Sequence, residues 1–459
     1  MTTVNNADRP FDILVYGATG FTGKRVAQYL VNQYPSTKIA IAGRSQSKLL
    51  QVAEELHLPT QNVLHAPLHD NEEPNNSTKE PSEALRFALS QTRIILACAG
   101  PYRQCGEILV RTAIENGTDY LDLCGEPQFF DDMLVSYDEA ARTAQTLIVS
   151  ACAFDCVPAE LSYSLALSTF TQRYGTSSSS RNSTTTEPLP QVTAVEIVHT
   201  VENVSCGNAT TFHAAVDGFH ASIQGELKKS RRRVKESWAN VIVPSTPKEW
   251  KLSSFPTPGI LPVYHPTTGT YLLKFLGADA SCILGSDRYL RHRCPEVRSS
   301  SLPRPHLSVC FGVPTYSAAM KFLAYGAVFS SLASSSWGCN LLHGNAELFS
   351  HGFFREGGPT QEEMDRGSFT TICTAIGNTP QQKIQIKCHG PEPGYVATPK
   401  MIVALAMVVL NHRHSLPFQG GILLPGALFG ENPAAYECLR KEGIEFTIVE
   451  DGSKGEELH

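Results

Sequence analysis

The first forty-five residues constrain the fold more than any other part of the chain. Phe11 to Gly17 reads FDILVYG, a short apolar run of β-formers. Ala18, Thr19 and Gly20 follow, then Phe21, Thr22 and Gly23, then KRVAQYLVNQ with apolar residues at helical spacing. A second apolar run, KIAIAG, ends at Gly43 and passes into Arg44 and Ser45. Strand, glycine turn, helix, strand and charged residue form the order of a βαβ unit that holds a dinucleotide.

Each part of that order has a physical task. Gly17 lets the chain turn sharply out of the strand, Gly20 lets backbone approach a pyrophosphate, and Gly23 lets the helix pack closely on the sheet. The helix start then offers unpaired N–H groups and a partial positive charge to phosphates. The segment Gly17, Ala18, Thr19, Gly20, Phe21, Thr22, Gly23 is therefore the expected cofactor cradle. Its spacing is G-x-x-G-x-x-G, not G-x-G-x-x-G, and by itself it also fits a plain βα turn without ligand. The tip of the second strand selects the nucleotide. An NAD site places an acid there, on the ribose hydroxyls. Here Arg44 offers a planar fork for a 2′-phosphate and Ser45 a hydroxyl, so NADP is expected. The competing reading of Arg44 is an ordinary exposed arginine.

The chain's 459 residues suffice for two or three domains, and 42% hydrophobic content suffices for sizeable cores. A net charge of −6 gives no global basic field, so no nucleic-acid partner is expected. Thirteen scattered cysteines without a C-x-x-C read as reduced, mostly buried thiols, which points to a cytoplasmic compartment. No metal site is expected, since His412 and His414 lack partners at ligand spacing. The polar start MTTVNNADRP resembles neither a secretory signal nor a transit peptide. Met401 to Leu410, MIVALAMVVL, is too short to span a bilayer and reads as a buried helix.

Strands and helices alternate as far as residue 165, the pattern of a doubly wound parallel sheet. The strand RIILACAG runs into Ala99, Gly100, Pro101 and Tyr102. Ligands of such sheets sit at the carboxyl ends of strands, so this corner is either a cofactor contact or a proline turn. Asp122, Gly125 and Glu126 fall at the next strand end, and Asp155 follows the one after. Tyr102 and Asp155 are the candidate proton donors or orienting groups, with structural turn residues as the competing reading. The polar stretch 69–82 and the serine-rich stretch 175–190 read as surface insertions. QVTAVEIVHTV then alternates like an antiparallel strand, so the architecture changes. His213 and His220 read as partly buried. Lys228 to Lys235, KKSRRRVK, is either a solvated face or a site for anionic groups. Residues 315–350 read as a core helical hairpin or as a segment lying in a lipid interface. Thr398 and Pro399 read as N-cap and first position of the MIVALAMVVL helix. The expected organisation is an α/β Rossmann-type sheet domain over 8–165, a mixed α+β substrate or dimerisation domain over 190–400, and a segment, 401–459, that returns to the first.

VYGATGFTG, AGRS, AGPYRQCGE, YLDLCGEPQF, FDCVPAEL, GPTQEEMD, GPEPGYVATP and GGILLPGALFG together resemble the saccharopine dehydrogenase-like oxidoreductases. They are similar also to the trans-acting enoyl reductases of glycolipid synthesis. The resemblance implies NADP-dependent chemistry on a small or lipid-linked substrate and a link to lipid or glycolipid metabolism. It further implies a place at lipid droplets, mitochondria or other membranes. A homodimer is also expected. The resemblance names no substrate. A non-catalytic sensor or scaffold that uses the same cofactor unit is the alternative. The only Y-x-x-x-K, Tyr34 to Lys38, precedes the second strand and cannot serve a nicotinamide as it does in short-chain dehydrogenases.

Overall fold

The computed structural model describes residues 8–70, 80–154, 156–175, 191–204, 206–238, 243–247, 250, 255–296, 298–299, 301–379, 381–449 and 456–457. The core of the 69–82 stretch, nearly all of 175–190, and Asp155 lie outside the described residues.

The N-terminal part alternates as its sequence pattern requires. In chain order it comprises β1 (Phe11–Tyr16), α1 (Phe21–Gln33), β2 (Ile39–Gly43), α2 (Gln46–Glu55), β3 (Val63–His65) and α3 (Glu83–Ser90). Then come β4 (Thr92–Ala97), α4 (Tyr102–Asn116), β5 (Asp119–Asp122), α5 (Pro127–Thr143), β6 (Leu147–Val149) and α6 (Val157–Phe170). Alternate residues of the central strands feed two cores. Ile13, Val15, Ile94 and Leu96 enter one, and Leu14, Tyr16, Ile95 and Ala97 the other. Strands buried on both faces need crossover helices on both, and so a parallel sheet.

The second part comprises β7 (Ala194–Glu202), β8 (Gly207–Asn208), α7 (Ala209–Ile223), α8 (Glu226–Ser237), β9 (Val263–His265), β10 (Thr270–Lys274), α9 (Asp279–Arg293) and β11 (His306–Val313). There follow α10 (Tyr316–Ala333), α11 (Ser336–Gly344), α12 (Ala346–Phe349), β12 (Phe354–Arg355), α13 (Gln361–Arg366), β13 (Ser368–Ile376) and β14 (Lys383–Pro391). The last elements are α14 (Thr398–His412), β15 (Gly421–Leu423), α15 (Pro425–Phe429), α16 (Pro433–Lys441), β16 (Glu445–Val449) and β17 (Glu456–Glu457).

Among the described residues the first sheet has seven parallel strands, in the order β15-β6-β5-β4-β1-β2-β3. The second is mixed, with eight strands in the order β17-β16-β14-β13-β7-β11-β10-β9. β7, expected to be antiparallel, pairs antiparallel with β13 and parallel with β11. The two sheets share their last elements. β15 continues the parallel sheet beside β6, whereas β16 joins β14 in the mixed one. Helix α6 is buried around nearly its whole circumference, because it packs on β13 and β14 on one side and on α9 and α15 on others. Helix α14 is as apolar as a membrane span, yet most of it is inside the fold, against α1, α16 and β4.

Two readings of the second part change. Thr398 is not an N-cap. The chain already turns helically from Pro393, because the Glu392 carboxylate accepts the N–H groups of Gly394, Tyr395 and Val396. The Thr398 hydroxyl instead donates to the Pro393 carbonyl. The 315–350 stretch is no core hairpin. Of α10 only Ala319 and Ala333 are buried, while Tyr316, Met320, Phe322, Tyr325 and Val328 are exposed. KKSRRRVK lies on α8, whose Ser230 and Val234 are buried and which packs on α5. His213 and His220 are half-buried, and their rings bond to the His343 and Ala333 carbonyls.

Candidate cofactor site

The glycine loop has the form its spacing predicts. Gly17 adopts φ +84°, the left-handed region, and its N–H donates to the Ala42 carbonyl at 2.8 Å. A Cβ on Gly23 would stand 2.3 Å from the Gly17 carbonyl oxygen, which is inside contact distance. Gly20 is different: a Cβ there would meet only the Gly17 carbonyl oxygen, at 3.3 Å. The protein itself therefore demands glycine at 17 and 23, while at 20 the open side is toward solvent.

Helix α1 starts directly behind Gly20. It has no side-chain cap and no acidic residue in its first turn. Its first N–H groups are left for an outside acceptor. Helix α2, which follows Arg44 and Ser45, also starts without a side-chain cap or an acid in its first turn. Arg44 is exposed and Ser45 half-exposed. Among the described residues Arg44 makes no ion pair. Its carbonyl receives the His65 ring, and the Ser45 hydroxyl lies 3.4 Å from that of Ser47. The two uncapped helix starts and one guanidinium thus line the carboxyl ends of β1 and β2, where two phosphate positions are expected.

Not every predicted residue faces that cleft with its side chain. Phe21 turns away: its ring meets Tyr395 edge-on at 5.0 Å and lies under the Arg25 guanidinium at 3.6 Å. Gly358, at φ +65°, sits so close that a Cβ there would be 2.5 Å from the Phe21 ring. Phe21 therefore docks the second part onto α1, and only its backbone can meet a cofactor. Tyr395, in turn, accepts the Asn208 N–H at 2.7 Å. Arg25, Gly358 and Tyr395 are distant in sequence, so no local pattern joins them as a group. Gly358 opens GPTQEEMD and Tyr395 lies in GPEPGYVATP.

At the β4 corner Ala99 is half-buried, Gly100 exposed and Pro101 half-buried, with the Gly100–Pro101 peptide cis. Tyr102, the first residue of α4, is buried against Phe129. Its hydroxyl donates to the Ala97 carbonyl at 2.8 Å and accepts the Leu123 N–H at 3.2 Å. Burial, with the nearby Asp122 carboxylate, raises its pKa well above 10. This hydroxyl holds the corner together; it is not presented to a substrate. Glu126 caps α4, taking the N–H groups of Tyr102 at 2.9 Å and Arg103 at 3.3 Å. Asp122 receives the Tyr120 and Ser150 hydroxyls and the Cys124 and Ala151 N–H groups, all at 2.9 Å. Burial still lifts its pKa to about 6. Both acids at the β5 end thus serve the framework. Asp155 lies outside the described residues, but its neighbour Phe154 donates its N–H to the Thr398 hydroxyl at 3.2 Å.

Comparison with known proteins agrees with this geometry. Residues 13–149 match the saccharopine dehydrogenase NADP binding domain. A saccharopine dehydrogenase-like oxidoreductase of Rattus norvegicus is 31% identical, over 96% of this chain and 98% of its own. A protein of Arabidopsis thaliana named a probable mitochondrial saccharopine dehydrogenase-like oxidoreductase is 28% identical, over 98% of each chain. A Caenorhabditis elegans protein named lipid droplet localized protein is 25% identical, over 95% of this chain and 98% of its own. By its glycine loop, its Rossmann-type sheet and its identity to the rat relative over nearly the whole length, the chain belongs to the saccharopine dehydrogenase-like oxidoreductases and carries their NADP-binding domain.

Proposed function

We propose that the protein transfers hydride between NADP(H) and a lipid-linked or other small substrate. The observation that carries this reading is the uncapped start of α1 behind Gly17, Gly20 and Gly23, paired with Arg44 beside the uncapped start of α2. NADPH would supply the hydride. The chain's own work is to bind and orient. The α1 N–H groups hold the pyrophosphate, Arg44 and Ser45 hold the 2′-phosphate, and Ala99, Gly100 and Pro101 border the nicotinamide end. Tyr102 is a positioning residue, which fixes the corner through Ala97 and Leu123. Asp155, next to Phe154, is the remaining candidate for the proton.

A second reading, cofactor binding without turnover, draws support from the engagement of the Tyr102 hydroxyl with backbone. Titration with NADPH and NADH, followed by a turnover screen on enoyl and imine compounds, separates the two. Tight NADPH binding with turnover upholds the enzyme, and binding without turnover upholds the sensor. Absence of NADPH binding defeats both.

For the lipid link, we infer that α10 and its neighbours rest on a lipid surface. Trp337 is 71% exposed, Leu348 69% and Phe322 57%, a density of large apolar groups unusual for a solvated face. The name of the C. elegans relative points the same way. Flotation with phosphatidylcholine vesicles tests it: Phe322→Asp with Trp337→Asp should abolish flotation with the vesicles and leave NADPH affinity unchanged.

A further inference from the structure

A cavity of about 240 Å3 lies apart from the cofactor cleft. None of its lining residues belongs to the glycine loop, Arg44 or the Ala99–Pro101 corner. Its frame is nonetheless the same sheet, for Ser150 directly follows β6 and Leu424 directly follows β15. Helices α5, α8 and α9 supply the other walls. Carboxyl ends of parallel strands are where such sheets take ligands.

The lining combines charged and apolar side chains. Arg231, Arg288 and Arg304 all reach it, against one acid, Asp131. Arg231 has a neutral partner, the Ser281 hydroxyl at 3.0 Å. Arg288 stands 3.8 Å from Asp131, too far for a strong hydrogen bond, and Asp131 already receives the Ser230 hydroxyl at 3.1 Å. Arg304 leans on Asp287, which is shared with Arg291 and Arg298. Positive charge is therefore in excess around a partly enclosed space. Burial lowers the Arg288 pKa, and Arg304 and Arg231 add to that while Asp131 opposes it. Phe130, Leu134 and Leu424 add apolar surface to the same lining.

We propose that this cavity is a second ligand site, which takes the phosphate or carboxylate of an organic anion with a short apolar body. Guanidinium groups match either oxyanion with paired N–H donors, and the apolar part of the lining accepts the carbon chain. The basic segment KKSRRRVK supplies Arg231 from α8, so its place on α5 acquires a purpose beyond solvation.

The test uses the full chain and a thermal-shift titration with hexyl phosphate, sodium hexanoate, inorganic phosphate and hexanol. Hexyl phosphate or hexanoate should raise Tm saturably, well above the response to the other two. Arg288→Gln and Arg231→Gln should each weaken that response about tenfold, with NADPH affinity unchanged. Arg231 sits on an outer helix, so its variant reports even if Arg288→Gln folds poorly. Equal shifts with hexanol and hexanoate would overturn the charged half of the proposal. Equal shifts with inorganic and hexyl phosphate would overturn the apolar half. No saturable shift, or an undiminished one in both variants, would overturn the site. The cofactor reading stands or falls separately, on NADPH binding.

Discussion

Helices α1 and α4 leave the same edge of the same sheet, one behind β1 and the other behind β4, and their first turns differ. Helix α1 begins on Gly20, with no side chain offered to its N–H groups. Helix α4 begins on Tyr102, and the Glu126 carboxylate accepts its first two N–H groups. Each start carries the same partial positive charge. One is neutralised by the chain's own carboxylate and the other is left for an anion from outside. A helix start is a binding site only where the fold withholds its own cap, and that is decided by residues far away in sequence.

The comparison can be broken most severely at Gly23. Gly23→Val puts atoms where the Gly17 carbonyl stands, and should lower NADPH affinity more than about a hundredfold, read by fluorescence titration. Gly20→Asp makes α1 resemble α4. It introduces a cap and a negative charge where phosphates are expected, so NADPH affinity should fall about a hundredfold while stability rises by about 0.5–1 kcal/mol. A stabilised variant with full affinity would refute the assignment of that helix start. Glu126→Ala performs the opposite exchange. It strips the cap from α4 and the partner from Arg103, and should cost about 2 kcal/mol in denaturant unfolding. Arg44→Gln sharpens the comparison at α2. NADPH affinity should fall about tenfold and NADH affinity should stay level. Equal losses for both nucleotides would mean that Arg44 does not read the 2′-phosphate.

Local patterns were legible wherever a residue's task depends on near neighbours. Gly17 and Gly23 are needed because their own loop folds back on itself, and the spacing alone says so. Tyr102 was not legible, since a strand-end position does not tell whether a ring enters the core; Phe129, on the next helix but one strand away, decides it. The packing of the Phe21 ring was not legible either, because Gly358 and Tyr395 come to it from the other end of the chain. The start of α14 deceived for a different reason. Thr398-Pro399 has the composition of a cap, but Glu392 had already begun the turn with its carboxylate. In α10, serine and apolar residues balance so evenly that composition fits core and interface alike. The exposure of Tyr316, Phe322, Tyr325 and Val328 rules out the core reading alone.

The shared last elements have a consequence for the order of synthesis. β6 is made early, but its partner β15 is translated only after β7 through β14 have emerged. The core face that α14 covers on α1 and β4 waits equally long. A nascent chain therefore carries an unpaired strand edge and an uncovered apolar face while the whole mixed sheet is being made. The cofactor half cannot mature as an independent early unit at the ribosome. Its completion coincides with that of the second half, and the unfinished intermediate is a natural client for chaperones that bind apolar surface.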